Sequence, residues 1–219
     1  MEKFIVGILL LSVLSGSISQ SDMKGKAFIF PKESSTAYVS LIPQVRKPLQ
    51  NFTLCLKAFT DLTRPYSIFS YNTETKDNEI LLFVQNVGEY MFFVGNSAVI
   101  FKAPTSPYDP VHICVSWESG SGIAEFWLNG KPLGRKGLRK GYTVGDKAMI
   151  ILGQEQDSYG GKFDAKQSFV GEIWDVFLWD YVVRLNEVSN SCKNGSLINW
   201  RALNYQDYDY VVMKPTLWT

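Results

Sequence analysis

The chain has 219 residues, with 22 Lys and Arg against 21 Asp and Glu, a single His and a formal net charge of +1. Balanced charge excludes a global field that gathers nucleic acid or an anionic membrane, and one His excludes any metal site built on paired histidines. Hydrophobic residues at 46% and charged residues at 20% describe a globular chain, for which a single all-β domain of this length is ordinary.

The first element is not part of the fold. Lys3 is a one-charge lead-in to the apolar run Phe4–Leu14, about half the length a membrane-spanning helix needs and the right length for a signal-peptide core. Small residues at Ser17 and Ser19 place cleavage before Gln20. Residues 1–19 therefore read as a signal peptide and residues 20–219 as one secreted domain. No later run approaches a membrane span.

Strand-like runs then follow one another: Ala27–Phe30, Ala37–Leu41, Phe52–Phe59, Tyr66–Tyr71, Glu79–Val84, Tyr90–Val94, Ala98–Lys102, His112–Trp117, Ile123–Leu128, Ala148–Leu152, Phe169–Trp179 and Tyr210–Met213. They alternate with period two or are rich in β-branched and aromatic residues, and turn residues separate them. Asn129-Gly130 after Phe126-Trp-Leu marks a tight hairpin. Leu185–Ser191 is the one short helix candidate. This pattern predicts a β-sandwich or jelly roll.

Export permits disulfides. The three cysteines, Cys55, Cys114 and Cys192, allow at most one intrachain bridge. Cys55 and Cys114 sit in alternating, β-rich segments that suit a cross-strand or cross-sheet bridge. Cys192, in a polar stretch, reads as a free or intersubunit thiol. Asn51-Phe-Thr and Asn194-Gly-Ser are glycosylation sequons in an exported chain.

The chemistry concentrates in Gly153–Gln167. Glu155 and Asp157 are two apart, so an extended backbone points both carboxylates to one side. Gly160-Gly161 lets the chain fold back and bring Asp164 and Gln167 near them. Such a cluster of hard oxygens repels itself when empty, and calcium, which takes six to eight oxygens, relieves that. The spacing is not that of an EF-hand. Asp77-Asn78-Glu79, just ahead of a strand, offers a second acidic and amide pair.

His112-Ile-Cys114-Val-Ser116-Trp117-Glu-Ser119 matches the pentraxin pattern His-x-Cys-x-Ser/Thr-Trp-x-Ser/Thr at every specified position. Gln154-Glu-Gln-Asp-Ser-Tyr-Gly-Gly resembles that family's calcium loop. Phe28–Ser34, Asn51–Leu56, Gly122–Trp127 and Lys214-Pro-Thr-Leu-Trp218 extend the resemblance over essentially the whole chain after the leader. The shortened segment around Cys192 is similar to that of family members from the mammalian gut mucosa, which implies an extracellular, mucosal setting.

The resemblance implies a flattened, concanavalin-like (lectin-like) jelly roll, assembled as a cyclic homo-oligomer, usually a pentamer, and two calcium ions per subunit. Asp77, Asn78, Glu155, Asp157 and the backbone carbonyl of Gln156 would surround the first ion. Glu155, Asp157, Asp164 and Gln167 would hold the second, with Glu155 and Asp157 bridging. A phosphate or carboxylate of the ligand completes the coordination. The partners implied are phosphorylated or carboxylated head groups and cell-surface polysaccharides, in an innate-immune recognition role. A glycan lectin without phosphate preference is the alternative.

Leu81, Phe83 and Phe93 would form an apolar ligand pocket. Phe93 takes a position that is small in phosphocholine-specific relatives, and Ala98 replaces a carboxylate that contacts the quaternary ammonium there. Asn129 stands where the complement-activating relative is acidic, and the segment from Arg184 to Asn199 is shortened, so complement activation does not carry over. No enzyme is expected. Glu172 and Asp175, in a segment faintly like the strand motif of secreted glycan hydrolases, are three apart and point oppositely on a regular strand, which a bulge would change. His112 belongs to the signature, and Cys192 has no identifiable catalytic partner.

Overall fold

β-Branched and aromatic runs bounded by turn residues form the strands. In chain order these are β1 (Lys26–Phe30), β2 (Tyr38–Ile42), β3 (Asn51–Phe59), β4 (Tyr66–Thr73), β5 (Lys76–Asn86), β6 (Glu89–Val94), β7 (Ser97–Lys102) and β8 (Val111–Glu118). There follow β9 (Ile123–Leu128), β10 (Lys131–Gly137), β11 (Ala148–Leu152), β12 (Gly171–Trp179), β13 (Ile198–Asn199), β14 (Asn204–Tyr208) and β15 (Val212–Pro215). The computed structural model describes residues 20–104, 109–184 and 195–218. The leader at 1–19, the helix read over Leu185–Ser191, Cys192 and the sequon at Asn194 lie outside those residues. Among the described residues the helical elements are two single 3₁₀ turns, Ala165–Gln167 and Trp200–Ala202.

The strands build a jelly-roll sandwich of two sheets, paired antiparallel throughout. The first runs β10-β9-β8-β3-β12-β1-β15, with β13 also on β12, and the second runs β14-β2-β11-β4-β5-β6-β7. Alternation decides what lies between them. Phe52, Leu54 and Leu56 of β3, Val115 and Trp117 of β8, and Ile80, Leu82 and Val84 of β5 are all buried in one core. Phe52 meets Phe92 across the two sheets at 6.0 Å, and Phe126 meets Phe101 at 5.0 Å. Truncating one such ring to Ala costs about 3–5 kcal/mol through lost burial and the cavity left behind. The signature Trp117 is fully buried, and its indole N–H donates to the Leu138 carbonyl at 2.7 Å. A polar atom at that depth needs such a partner.

Cys55 and Cys114 face each other in the register of β3 and β8, and they are disulfide-bonded. The bridge is cross-strand, within the first sheet. Asn129 and Gly130, at φ 50° and 75°, form the two-residue turn between Leu128 and Lys131.

The alternating runs marked twelve strands, and three further ones are present. β10 is exposed along nearly its whole length, so no apolar alternation betrays it. β13 has two residues, and β14 is a polar strand at the edge of the second sheet. The C-terminal strand is Val212–Pro215 rather than Tyr210–Met213, and β12 starts at Gly171 rather than Phe169.

Candidate metal and ligand site

The acidic segment is a closed loop that leaves β11 at Gly153 and returns before β12. The Phe169 N–H donates to the Gly153 carbonyl at 2.9 Å and ties its base. Gly153 has φ +87°, and a Cβ there would lie 2.4 Å from a ring carbon of Phe30, so the loop has to start with glycine. Arg64 holds the far end by donating from Nη1 to the carbonyls of Lys166 and Ser168, at 2.9 and 2.8 Å.

Within the loop, burial sorts the side chains. Gln154 and Gln156 are fully buried, while Asp157 is exposed and Glu155 half-buried. Gln154 Nε2 donates to the carbonyls of Ser34 and Ala37, at 2.7 and 2.9 Å. Gln156 Nε2 lies 3.1–3.2 Å from acceptors on Ser70 and Met149, and its Oε1 accepts from the Gly160 N–H at 2.9 Å. Both glutamine amide nitrogens are thus spent on the fold, Gln154 Oε1 is buried without a partner, and the group Gln156 has left is its backbone carbonyl.

That carbonyl is joined to Asp77 and Asn78 by Asn72, a residue the sequence reading did not single out. Register shifts where β4 meets β5 between Tyr71 and Thr73, which frees Asn72 from that ladder. Its Nδ2 donates to the Gln156 carbonyl at 2.6 Å and lies 3.5 Å from Asp77 Oδ1, while its Oδ1 accepts from the Asn78 N–H at 2.9 Å. Asn78 sits at φ 50°, a left-handed position that Asn tolerates better than most residues. Glu79 points away and accepts from the Tyr142 hydroxyl at 2.6 Å and from the Gly145 N–H. On the other side of the loop, Asp164 caps the 3₁₀ turn by accepting from the Lys166 N–H at 2.9 Å, and its carbonyl accepts from the Gln167 N–H.

Three observations describe what these oxygens lack. Asn78 Oδ1 and Gln167 Oε1 are buried without a hydrogen-bond partner. Glu155 is pushed up to about 7 by burial and then by the neighbouring Asp157 carboxylate. Among the described residues, no three carboxylates bring oxygens within 4.8 Å of one another. Every donor is a hard oxygen, and the set fits calcium.

The apolar candidates share this face. Ile80, Leu82 and Val84 point into the core, so Leu81 and Phe83 turn to the outer side of the second sheet. Leu81 stands opposite Ser70 and Phe93, and Phe93 stands opposite the exposed Ala98. Leu81 and Phe83 are 1% and 6% exposed and Phe93 is half-buried. Phe93 therefore presents the most surface of the three.

The first sheet carries a different cluster. Cys55, His112 and Cys114 bring their ligand atoms within 4.8 Å, with His112 Nε2 3.4 Å from Cys114 Sγ. Both sulfurs are in the disulfide, so neither is available as a thiolate. Asp175 has φ 52° at the bulge where β12 slips between Trp174 and Phe177, and it pairs with Lys57 at 3.0 Å. The bulge turns this carboxylate onto a lysine, and Glu172 is 9% exposed.

The sequence profile of the Pentaxin family matches residues 26–215, and this chain belongs to the pentraxin family. Pentraxins are calcium-binding recognition proteins and not enzymes. Among individual relatives, the chain is 81% identical over 218 residues to mucosal pentraxin of Mus musculus, with both chains covered completely. It is 50% identical over 222 residues to serum amyloid P-component of Homo sapiens, again over the full length of both. The heptameric SAP-like pentraxin of Limulus polyphemus superposes with a TM-score of 0.81 at 23% identity, covering 90% of this chain and 98% of that one. That match establishes the fold.

Proposed function

We propose that this chain is a secreted, calcium-dependent recognition protein that binds two calcium ions per subunit and presents them to phosphate- or carboxylate-bearing ligands. The observation that carries the reading is the pair of buried, unpartnered acceptors, Asn78 Oδ1 and Gln167 Oε1. Asn78 is on β5 and Gln167 is in the loop, whose Glu155 is pushed up to about 7 by burial and then by the Asp157 carboxylate. A buried acceptor without a partner costs about 1–3 kcal/mol, and cations remove that cost while ionising Glu155.

Asp77, Asn78, Glu155, Asp157 and the Gln156 carbonyl would hold one ion. Glu155, Asp157, Asp164 and Gln167 would hold the other. Bound calcium supplies positive charge and exchangeable positions for an anionic ligand oxygen. Phe83 and Phe93 would then meet the part of the ligand beyond the anion. Ala98 offers no charge to a quaternary ammonium, so we expect phosphoethanolamine or a plain phosphomonoester to be held at least as well as phosphocholine. Residues 1–19 act as the export signal in this reading, and the subunits form a ring, a pentamer being the expected size, whose multivalency raises weak single-site binding. Among the described residues no helix is long and apolar enough to cross a membrane.

Retention on immobilised phosphoethanolamine with calcium, followed by release with EDTA, tests the reading. Elution by simple sugars but not by phosphomonoesters would favour a glycan lectin, and retention in EDTA would overturn calcium dependence.

A further inference from the structure

The loop that carries Asp164 has an anchor outside the donor set. Phe163 packs against Tyr38 of β2, ring centroids 4.9 Å apart, and Tyr38 stacks on Tyr208 at the end of β14, 4.3 Å apart and 14° from parallel. Tyr38 and Tyr208 are register partners across the β2–β14 ladder, so the backbone fixes their stack, and it reaches from the edge of the second sheet to the loop. The segment it meets needs holding. Lys162 sits at φ 57°, Gly160 at φ 71°, and Ser158 and Gly161 close a tight bridge between them. A non-glycine residue in the left-handed region persists only where its surroundings enforce it. Lys162 and Asp164, on either side of Phe163, are exposed, so their side chains supply little packing.

We propose that the row Tyr208–Tyr38–Phe163 is a positioning device for the second calcium ion: it fixes the loop at Phe163 and so sets Asp164, the next residue, and the 3₁₀ turn bearing Gln167. The inference rests on the calcium reading above and concerns residues that offer the ion nothing themselves. Asp77 and Asn78, held by Asn72 on β4 and β5, are independent of the row. The two ions should therefore respond differently to its loss.

The test is calorimetric calcium titration of the full chain and of Tyr38→Ala, Tyr208→Ala and Tyr38→Phe, each also melted in EDTA. Aromatic pairs contribute enough beyond their burial for loss of one to move an affinity by about tenfold. The expected result is a roughly tenfold weakening of one of the two binding steps in Tyr38→Ala, a smaller weakening of the same step in Tyr208→Ala, and parental binding in Tyr38→Phe, which keeps the ring. Tyr208 is at a sheet edge and 38% exposed, so its variant should melt in EDTA as the parent does even if Tyr38→Ala is damaged. Parental affinity at both steps in both alanine variants would overturn the proposal. So would equal weakening of both steps with a lowered melting temperature, which describes a general packing role. A parent that binds calcium once, or not at all, removes the reading beneath it and is distinguishable from either result.

Discussion

The first sheet and the loop that leaves the second each carry groups of the kind that hold metals, and they differ in what those groups have left to offer. On the first sheet, Cys55, His112 and Cys114 are close together but chemically closed. The sulfurs bond each other, and His112 is half-buried, its pKa lowered by desolvation and then by Lys57. At the second sheet, Asp77 on β5 and Glu155, Asp157 and Asp164 in the loop after β11 are spread apart but open. Around them Asn72 and Gln156 are hydrogen-bonded, while Asn78 Oδ1, Gln154 Oε1 and Gln167 Oε1 are buried without a partner. The disulfide makes the first cluster a staple, and the open carboxylates make the second the candidate site of our proposal.

Breaking the staple should have the largest effect. The bridge closes a loop with a sequence separation of 59, worth about 4 kcal/mol in the chain-entropy description. The double variant Cys55→Ala, Cys114→Ala should lose about that much in a urea titration while keeping its calcium stoichiometry. A simultaneous loss of calcium binding would show that the two clusters are not separate.

Next comes Glu155→Ala, which should abolish the calcium-induced rise in melting temperature, a stabilisation of about 3 kcal/mol at a hundredfold excess over Kd. Removing Asn72 is smaller. Asn72→Ala leaves the Gln156 carbonyl and the Asn78 N–H without their partner and should cost about 1–3 kcal/mol in EDTA, with weaker binding of the ion near Asp77.

The subtlest effect is on pH dependence. The folded-state pKa of Glu155, at about 7, lies above its unfolded value, so the metal-free fold retains a proton that the unfolded chain has released. Its contribution to stability is present at low pH and is lost as pH rises from about 4.5 through 7. The lowered pKa of His112 acts in the opposite sense, with stability lost as pH falls below about 6.5. Glu155→Gln should therefore remove the decline between about pH 4.5 and 7 in EDTA. Calcium added to the parent near pH 6.5 should release protons, which a pH-stat can count.

Much of the fold was legible because alternation is a physical consequence of burying one side of a strand. Phe52–Phe59 and His112–Trp117 announced β3 and β8, and with them the disulfide. The spacing of Glu155 and Asp157 predicts that both carboxylates point to one side; Gln154 and Gln156 are buried, Glu155 half-buried and Asp157 exposed. β10 was missed because its exposed Lys and Gly residues bury nothing, and β14 because its polar edge resembles a loop. Asn72 was missed because its role comes from a register slip between two strands, which no local pattern records. Tyr38, Phe163 and Tyr208 were missed because their stack joins three segments far apart in the chain.

Calorimetric titration of the EDTA-stripped protein with calcium, reported per subunit, tests the central claim most directly. Two ions per subunit, with proton release near neutrality, is the predicted result. No binding in the millimolar range would contradict it and would leave the loop from Gly153 to Phe169 as a solvated acidic turn on an intact sandwich.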